Sequence, residues 1–145
     1  MESKSKLRFD KPKSFCAKYP FYTFEDVEYS KFMTKIMNSL EIRFYEKNDI
    51  ICKEMDEALE ILFVEQGFYE VGFEINNCQF YETQFSISTI IGGFQICYQM
   101  RHSFIYKAQT QLRCLAIRRQ NFMHIINNYP QFKRQIEQRM FAHFS

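Results

Sequence analysis

Apolar residues recur at helical spacing between Thr23 and Leu40: Val27, Phe32, Met33, Ile36, Met37 and Leu40. Steps of three and four residues place side chains on one face of a helix. Thr23 is a suitable cap, and Glu25, Asp26 and Glu28 suit the positive end of a first turn. The pattern predicts an amphipathic helix over Phe24–Leu40. From Glu41 the period shortens towards two. Ile42 and Phe44, then Ile50 and Ile51, flank the polar turn Glu46-Lys47-Asn48-Asp49. Leu59–Val64 and Phe68–Ile75 follow, and Asn76-Asn77 before Gln79-Phe80-Tyr81 signals a hairpin. Phe85, Ile87 and Ile90-Ile91 lead into Gly92-Gly93, and Ser103–Ala108 and Leu112–Ile117 complete a set of seven or eight short strands. Short strands at this spacing predict a barrel or jelly roll. After Arg119 the helical period returns. Phe122, Ile125, Ile126 and Tyr129 share a face, and Pro130 suits the first turn of a last helix carrying Phe132, Ile136, Met140 and Phe144.

The expected fold class is therefore α+β: an eight-stranded antiparallel β-roll with an N-terminal helix, a short internal helix after Gly93, and two C-terminal helices. Residues 1–22 are read as a polar leader, broken by Pro12 and Pro20. Residues 23–145 are read as one domain.

Composition narrows the class. The chain has 145 residues, 46% of them apolar, which is enough for one buried core and too apolar for disorder. No apolar run is long enough to span a membrane, and the leader has no apolar signal core. The expectation is a soluble fragment. Cys16, Cys52, Cys78, Cys97 and Cys114 stand singly with no C-x-x-C, which predicts free thiols in a reducing compartment. His102, His124 and His143 share no ligand spacing, so no metal site is expected. No Ser/His/Asp or Cys/His arrangement has a sequence signature, and no enzyme activity is expected. Charge is uneven. From Arg101 onward eight basic residues face one acid, Glu137, whereas Glu41–Glu82 holds eleven acids against three basic residues. Nucleic acid would require a continuous basic face, which this order does not favour. The basic end is expected to be a solvated face, to meet an acidic partner, or to pair with the acidic middle.

Chemistry concentrates between Ile90 and Ala108. Gly92-Gly93 stands at an apparent strand-to-helix junction, where backbone N–H groups can point at an anion. The alternative is a tight turn needing unusual backbone angles. Arg101 and His102 either contact a ligand or lie at the surface.

Several of these segments, in order, resemble the cyclic-nucleotide-binding domain over about Phe24–Phe144. Asn48-Asp49-Ile50-Ile51 resembles its turn and strand, and Ile61–Val64 ending at Gly67 its apolar run before a glycine. Ile91-Gly92-Gly93 is similar to its "F-G-E", and Tyr106-Lys107-Ala108 to its "V-K/R-A". Leu115–Arg118 with Phe122 and Tyr129-Pro130 resembles its last strand and following helix. Tyr129-Pro130-Gln131-Phe132 looks most like voltage-gated potassium channels of the ether-à-go-go type. The resemblance implies a domain on the cytoplasmic side of a membrane, hung below a channel pore. Its partners would be the pore and linker of its own channel, with the parent a homo-oligomer (a tetramer).

In that family the cyclic phosphate meets backbone N–H groups of the short helix and an arginine, while a glutamate holds the ribose. The corresponding positions here are Gly92, Gly93, Phe94, Arg101, His102 and Ser103. The glutamate falls on Gly93 and the arginine on His102, and Phe104 would occupy ligand space if it points inward. Each charged contact to an anion contributes about 1.5–3 kcal/mol. Losing both would remove roughly 3–6 kcal/mol, or two to four decades of affinity. Ile136 and Met140 take the positions of a lid, or simply pack the last helix; a segment after Ser145 would be another candidate to fill the pocket. No obligate cofactor is expected, and cAMP or cGMP would bind weakly or not at all. The resemblance thus implies a gating-regulatory homology domain with a degenerate cassette. The alternative is a working cAMP or cGMP sensor of a channel or of a kinase regulatory subunit.

Overall fold

A computed structural model describes residues 27–86 and 89–144. The leader, Cys16, Ile87 and the helix start placed at Phe24 lie outside these residues. Helix α1 runs Val27–Asn38 and buries Tyr29, Phe32, Met33 and Ile36. Val27, expected on that face, is 65% exposed at the helix start. The seam instead begins at Tyr29, from which Phe32, Met33 and Ile36 follow at the three-, four- and seven-residue steps of a helical face.

Eight strands follow: β1 Glu41–Tyr45, β2 Ile50–Cys52, β3 Glu60–Gln66, β4 Tyr69–Ile75, β5 Cys78–Phe85, β6 Ile90–Ile91, β7 Ile105–Ala108 and β8 Leu112–Arg118. Helix α2, Gly93–Cys97, lies between β6 and β7, and helices α3, Arg119–Asn127, and α4, Pro130–Phe144, close the chain. The strands form two antiparallel four-stranded sheets, ordered β1-β8-β3-β6 and β2-β7-β4-β5. Among the described residues this is the expected roll with its four helices. The β4–β5 turn is Asn76-Asn77, with φ of 53° and 65°. Two positive φ values in a two-residue loop match the twist of the strands they join, and asparagine tolerates them.

Two strands organise the interior. In β3 and β8 neither face meets water, so both read as unbroken apolar runs. Ile61, Phe63, Leu115 and Ile117 point to a core shared with α1, α3 and α4. Their neighbours Leu62, Val64, Cys114 and Ala116 point to a second core between the sheets. Register keeps each set together, with Ile61 opposite Ile117 and Leu62 opposite Ala116. Phe32 stands at the centre of the helical core, its ring 5.1 Å from Phe132 and 5.4 Å from Tyr129.

The basic end does pair with the acidic middle at three places. Arg118 meets Glu41 at 2.9 Å, Arg101 meets Glu57 at 3.5 Å, and Arg113 bonds Glu65. Arg43 completes a surface ladder, 3.0 Å from Glu41 and 3.1 Å from Glu60. Exposed pairs of this kind each contribute under about 1 kcal/mol and fix register more than stability.

Candidate functional site

Gly92 and Gly93 join β6 to α2, and each is glycine for its own reason. Gly92 has φ of +91°, and a Cβ there would come within 2.6 Å of the Glu60 carbonyl oxygen. Such a backbone is costly for any side chain. Gly93 is buried beneath α4, where a Cβ would overlap the Met140 sulfur. The Gly92 carbonyl accepts the first helical bond, from Ile96 N–H at 3.0 Å. With five residues, α2 is too short to sum much of a helix dipole.

These residues border a cavity of about 500 Å³ at one end of the roll. Tyr69, Val71 and Phe73 of β4 and Thr83 and Phe85 of β5 form its sheet side. Tyr106 of β7, paired with β4, extends that side, and Phe94 and Gln95 of α2, Phe104 and Met140 also line the cavity. Rings stack along the wall, with Tyr69 5.6 Å from Phe85 and 6.2 Å from Tyr106. The Tyr69 hydroxyl donates to Thr89 Oγ1 at 2.7 Å, and Thr89 Oγ1 donates to the Ser86 carbonyl at 2.7 Å. Burial raises the Tyr69 phenol, and pushes Tyr106 up to about 12, so both stay neutral. Among the described residues lining this cavity, none carries a charge.

A second cleft, of about 690 Å³, opens elsewhere on the roll. Its border includes Asp56, Glu57 and Glu60 together with Arg101 and His102. The two spaces share the short strand β6, with Ile90 lining the first and Ile91 the second. Neighbours on a strand face opposite sides.

The structure therefore divides the sequence-predicted cassette. Gly92, Phe94 and Met140 meet at the apolar cavity, with Gly93 directly beneath Met140. Arg101 and His102 do not join them. Backbone bonds tie this segment to the loop after β2: Met55 N–H donates to the His102 carbonyl at 2.7 Å, and His102 N–H to Asp56 at 3.0 Å. Arg101 Nη1 donates to the Met55 carbonyl at 2.9 Å. That pairing turns both side chains to the second cleft. His102 is 4% exposed, its ring 5.8 Å from Tyr106, and its Nδ1 has no hydrogen-bond partner. Burial lowers its pKa, against a smaller opposing pull from Asp56. Ser103 is exposed and borders neither space. Ile136 is buried in the helical core and does not reach the cavity, so Met140 alone of the two lid positions covers it. Phe104, whose direction the sequence left open, lines the cavity.

Residues that sequence reasoning passed over include Tyr69, Val71 and Phe73. Their two-residue spacing marks one face of β4, but alternation alone does not say that the face borders a hollow. Three or more His, Cys, Asp or Glu placed to hold a metal occur nowhere among the described residues. None of the described helices is long and apolar enough to cross a membrane.

Two antiparallel sheets, a short helix after β6 and a last helix folded back over it define the cyclic-nucleotide-binding fold. Solved structures agree. A putative cyclic nucleotide-binding protein from Geobacter metallireducens GS-15 superposes with a TM-score of 0.65 at 14% identity, over 88% of each chain. One from Ruegeria pomeroyi DSS-3 gives 0.66 at 14% identity, over 79% of this chain and 51% of that one. A cAMP-bound PfPKA-R fragment gives 0.60 at 23% identity, over 66% of this chain but only 34% of its own length. No protein-family model matches the sequence, and no curated protein matches it.

Proposed function

We propose that this chain is the cyclic-nucleotide-binding homology domain of a voltage-gated potassium-type channel, acting on the cytoplasmic side as a regulator of gating. Its cavity takes neither cAMP nor cGMP at micromolar concentration. The observation that supports this is the absence of charge among the described residues lining the 500 Å³ cavity beside Gly92. A cyclic nucleotide carries a phosphate anion. Burying an ion without a counter-charge costs several kcal/mol. The nearest sequence candidates for that counter-charge, Arg101 and His102, border the other cleft.

The channel assignment rests on the likeness of Tyr129-Pro130-Gln131-Phe132 to the ether-à-go-go channels. Regulation then passes through α1 and the linker before it to the pore of the same channel, a homo-oligomer. The domain has no reaction of its own. A working cyclic-nucleotide sensor is the second reading. In its favour are a cavity of ligand size and the likeness to the cAMP-bound PfPKA-R.

Calorimetry and thermal melting with cAMP and cGMP, raised to millimolar, separate the two. Ligand at a hundred times its Kd stabilises a fold by about 2.7 kcal/mol. The expected result is an unmoved Tm throughout the micromolar range. A clear rise there establishes the sensor and refutes the proposal.

A further inference from the structure

We infer that the cavity beside Gly92 is a binding site for an uncharged, planar aromatic molecule carrying a hydrogen-bond donor at its edge. The inference rests on the proposed function in one respect: the same space is not taken by a cyclic nucleotide.

Size and shape come first. A space of about 500 Å³ lies within the range of small-molecule pockets, roughly 300–1,000 Å³. Rings dominate its lining: Tyr69, Phe73, Phe85 and Tyr106 from the sheet, Phe94 from α2 and Phe104 from the segment entering β7. Rings stack best on other flat apolar rings, offset or edge-on.

Polarity decides the charge of the occupant. The polar side chains on the wall are hydroxyls and an amide, from Thr83, Thr89, Gln95 and the two tyrosines. Two of the hydroxyl protons are already committed. Tyr69 gives its proton to Thr89, and Thr89 gives its own to the Ser86 carbonyl. Each hydroxyl oxygen retains acceptor capacity, since a hydroxyl has two lone pairs. The donors that remain, on Thr83, Gln95 and Tyr106, are neutral, so an anion arriving here finds no counter-charge among the described residues. A neutral ring with an N–H or O–H on its rim finds acceptors and leaves no charge buried. The entrance is built to match, with Phe85 and Phe104 each 38% exposed.

The test uses two fluorescent probes of similar size on the full 145-residue chain. Aminoanthracene is flat, neutral and carries an N–H donor; anilinonaphthalene sulfonate is an aromatic anion. Aminoanthracene should bind one per chain with a blue-shifted emission, at least tenfold more tightly than the sulfonate, a gap of about 1.4 kcal/mol. Val71→Trp, which fills the cavity, should weaken aminoanthracene tenfold or more. Thr83→Trp does the same from an exposed position on β5 and serves if the first variant does not fold. Phe104→Arg, at the partly open rim, should reverse the preference in favour of the sulfonate. Equal affinity for the two probes, or unchanged binding in the folded tryptophan variants, overturns the inference. If neither probe nor cyclic nucleotide binds, the inference falls and the proposed function stands. If micromolar cAMP displaces aminoanthracene, the proposed function falls.

Discussion

The two hollows that share β6 differ in almost every respect. One is walled by rings and neutral hydroxyls; the other is bordered by three carboxylates, a guanidinium and an imidazole. Yet a single dipeptide, Ile90-Ile91, contributes one side chain to each. The difference shows how two hollows that share a strand can divide rings and charges between them. The residues nearest in sequence to an anion-binding role, Arg101 and His102, are held at the charged cleft by main-chain bonds to Met55 and Asp56. Backbone pairing of this kind is indifferent to side-chain chemistry, so it can redirect a cation without any change in the strands around it.

Altering the divide between the two spaces should have the largest effect. Gly92→Ala forces a side chain onto a backbone at φ +91° and towards the Glu60 carbonyl. It should cost about 2–4 kcal/mol, seen as a Tm lower by about 10 °C in thermal melting. Next comes the charged cleft itself. His102→Arg places a guanidinium at a position only 4% exposed, which should lower stability by about 1–3 kcal/mol. Its cAMP affinity should stay unchanged by calorimetry, because the new cation lies in the wrong space. A gain in affinity would mean that the segment before β7 can rearrange and that the two hollows are not separate.

A milder effect should appear with pH. Burial depresses the His102 pKa below its ordinary value of 6.5, with Asp56 opposing and Tyr106 packed against the ring. The unfolded chain therefore takes up a proton at a pH where the folded one does not. Stability should be flat above about 6.5 and decline as pH falls below it, until the folded imidazole also protonates. His102→Gln should flatten denaturant-derived stability between about pH 6.5 and 5, a range above the usual carboxylate titrations. The smallest effect is expected at Arg101. Its pair with Glu57 joins two side chains about half exposed, so Arg101→Ala should cost less than about 1 kcal/mol and leave probe binding at the apolar cavity unmoved.

Much of the molecule was legible beforehand, for identifiable reasons. The double-faced burial of β3 and β8 wrote itself as unbroken apolar runs, and Asn76-Asn77 marked its hairpin. Periodicity also located α1 by Phe32, Met33 and Ile36, although Val27 proved exposed and the buried Tyr29 was not on the expected face. What remained hidden depended on contacts between distant segments. A strand expected from Ser103 begins only at Ile105, because residues just before it pair with the loop after β2. No pattern of apolar spacing records such a bond. The close approach of Met140 to Gly93 is likewise set by how α4 lies, and a glycine in sequence does not say which helix will cover it.

The last helix has a consequence of its own. It meets α2 through Met140 over Gly93 and through the Phe141 ring, 5.8 Å from Phe94 and 5.9 Å from Tyr98. Tyr98 adds one hydrogen bond to the Glu137 carbonyl, and no ion pair joins the two helices among the described residues. A contact made of apolar area has a thermal signature and little response to salt. Lifting α4 would raise the heat capacity, and the grip of the helix would loosen on cooling rather than with ionic strength. Calorimetry, more than any titration of electrolyte, is the instrument to which this helix answers.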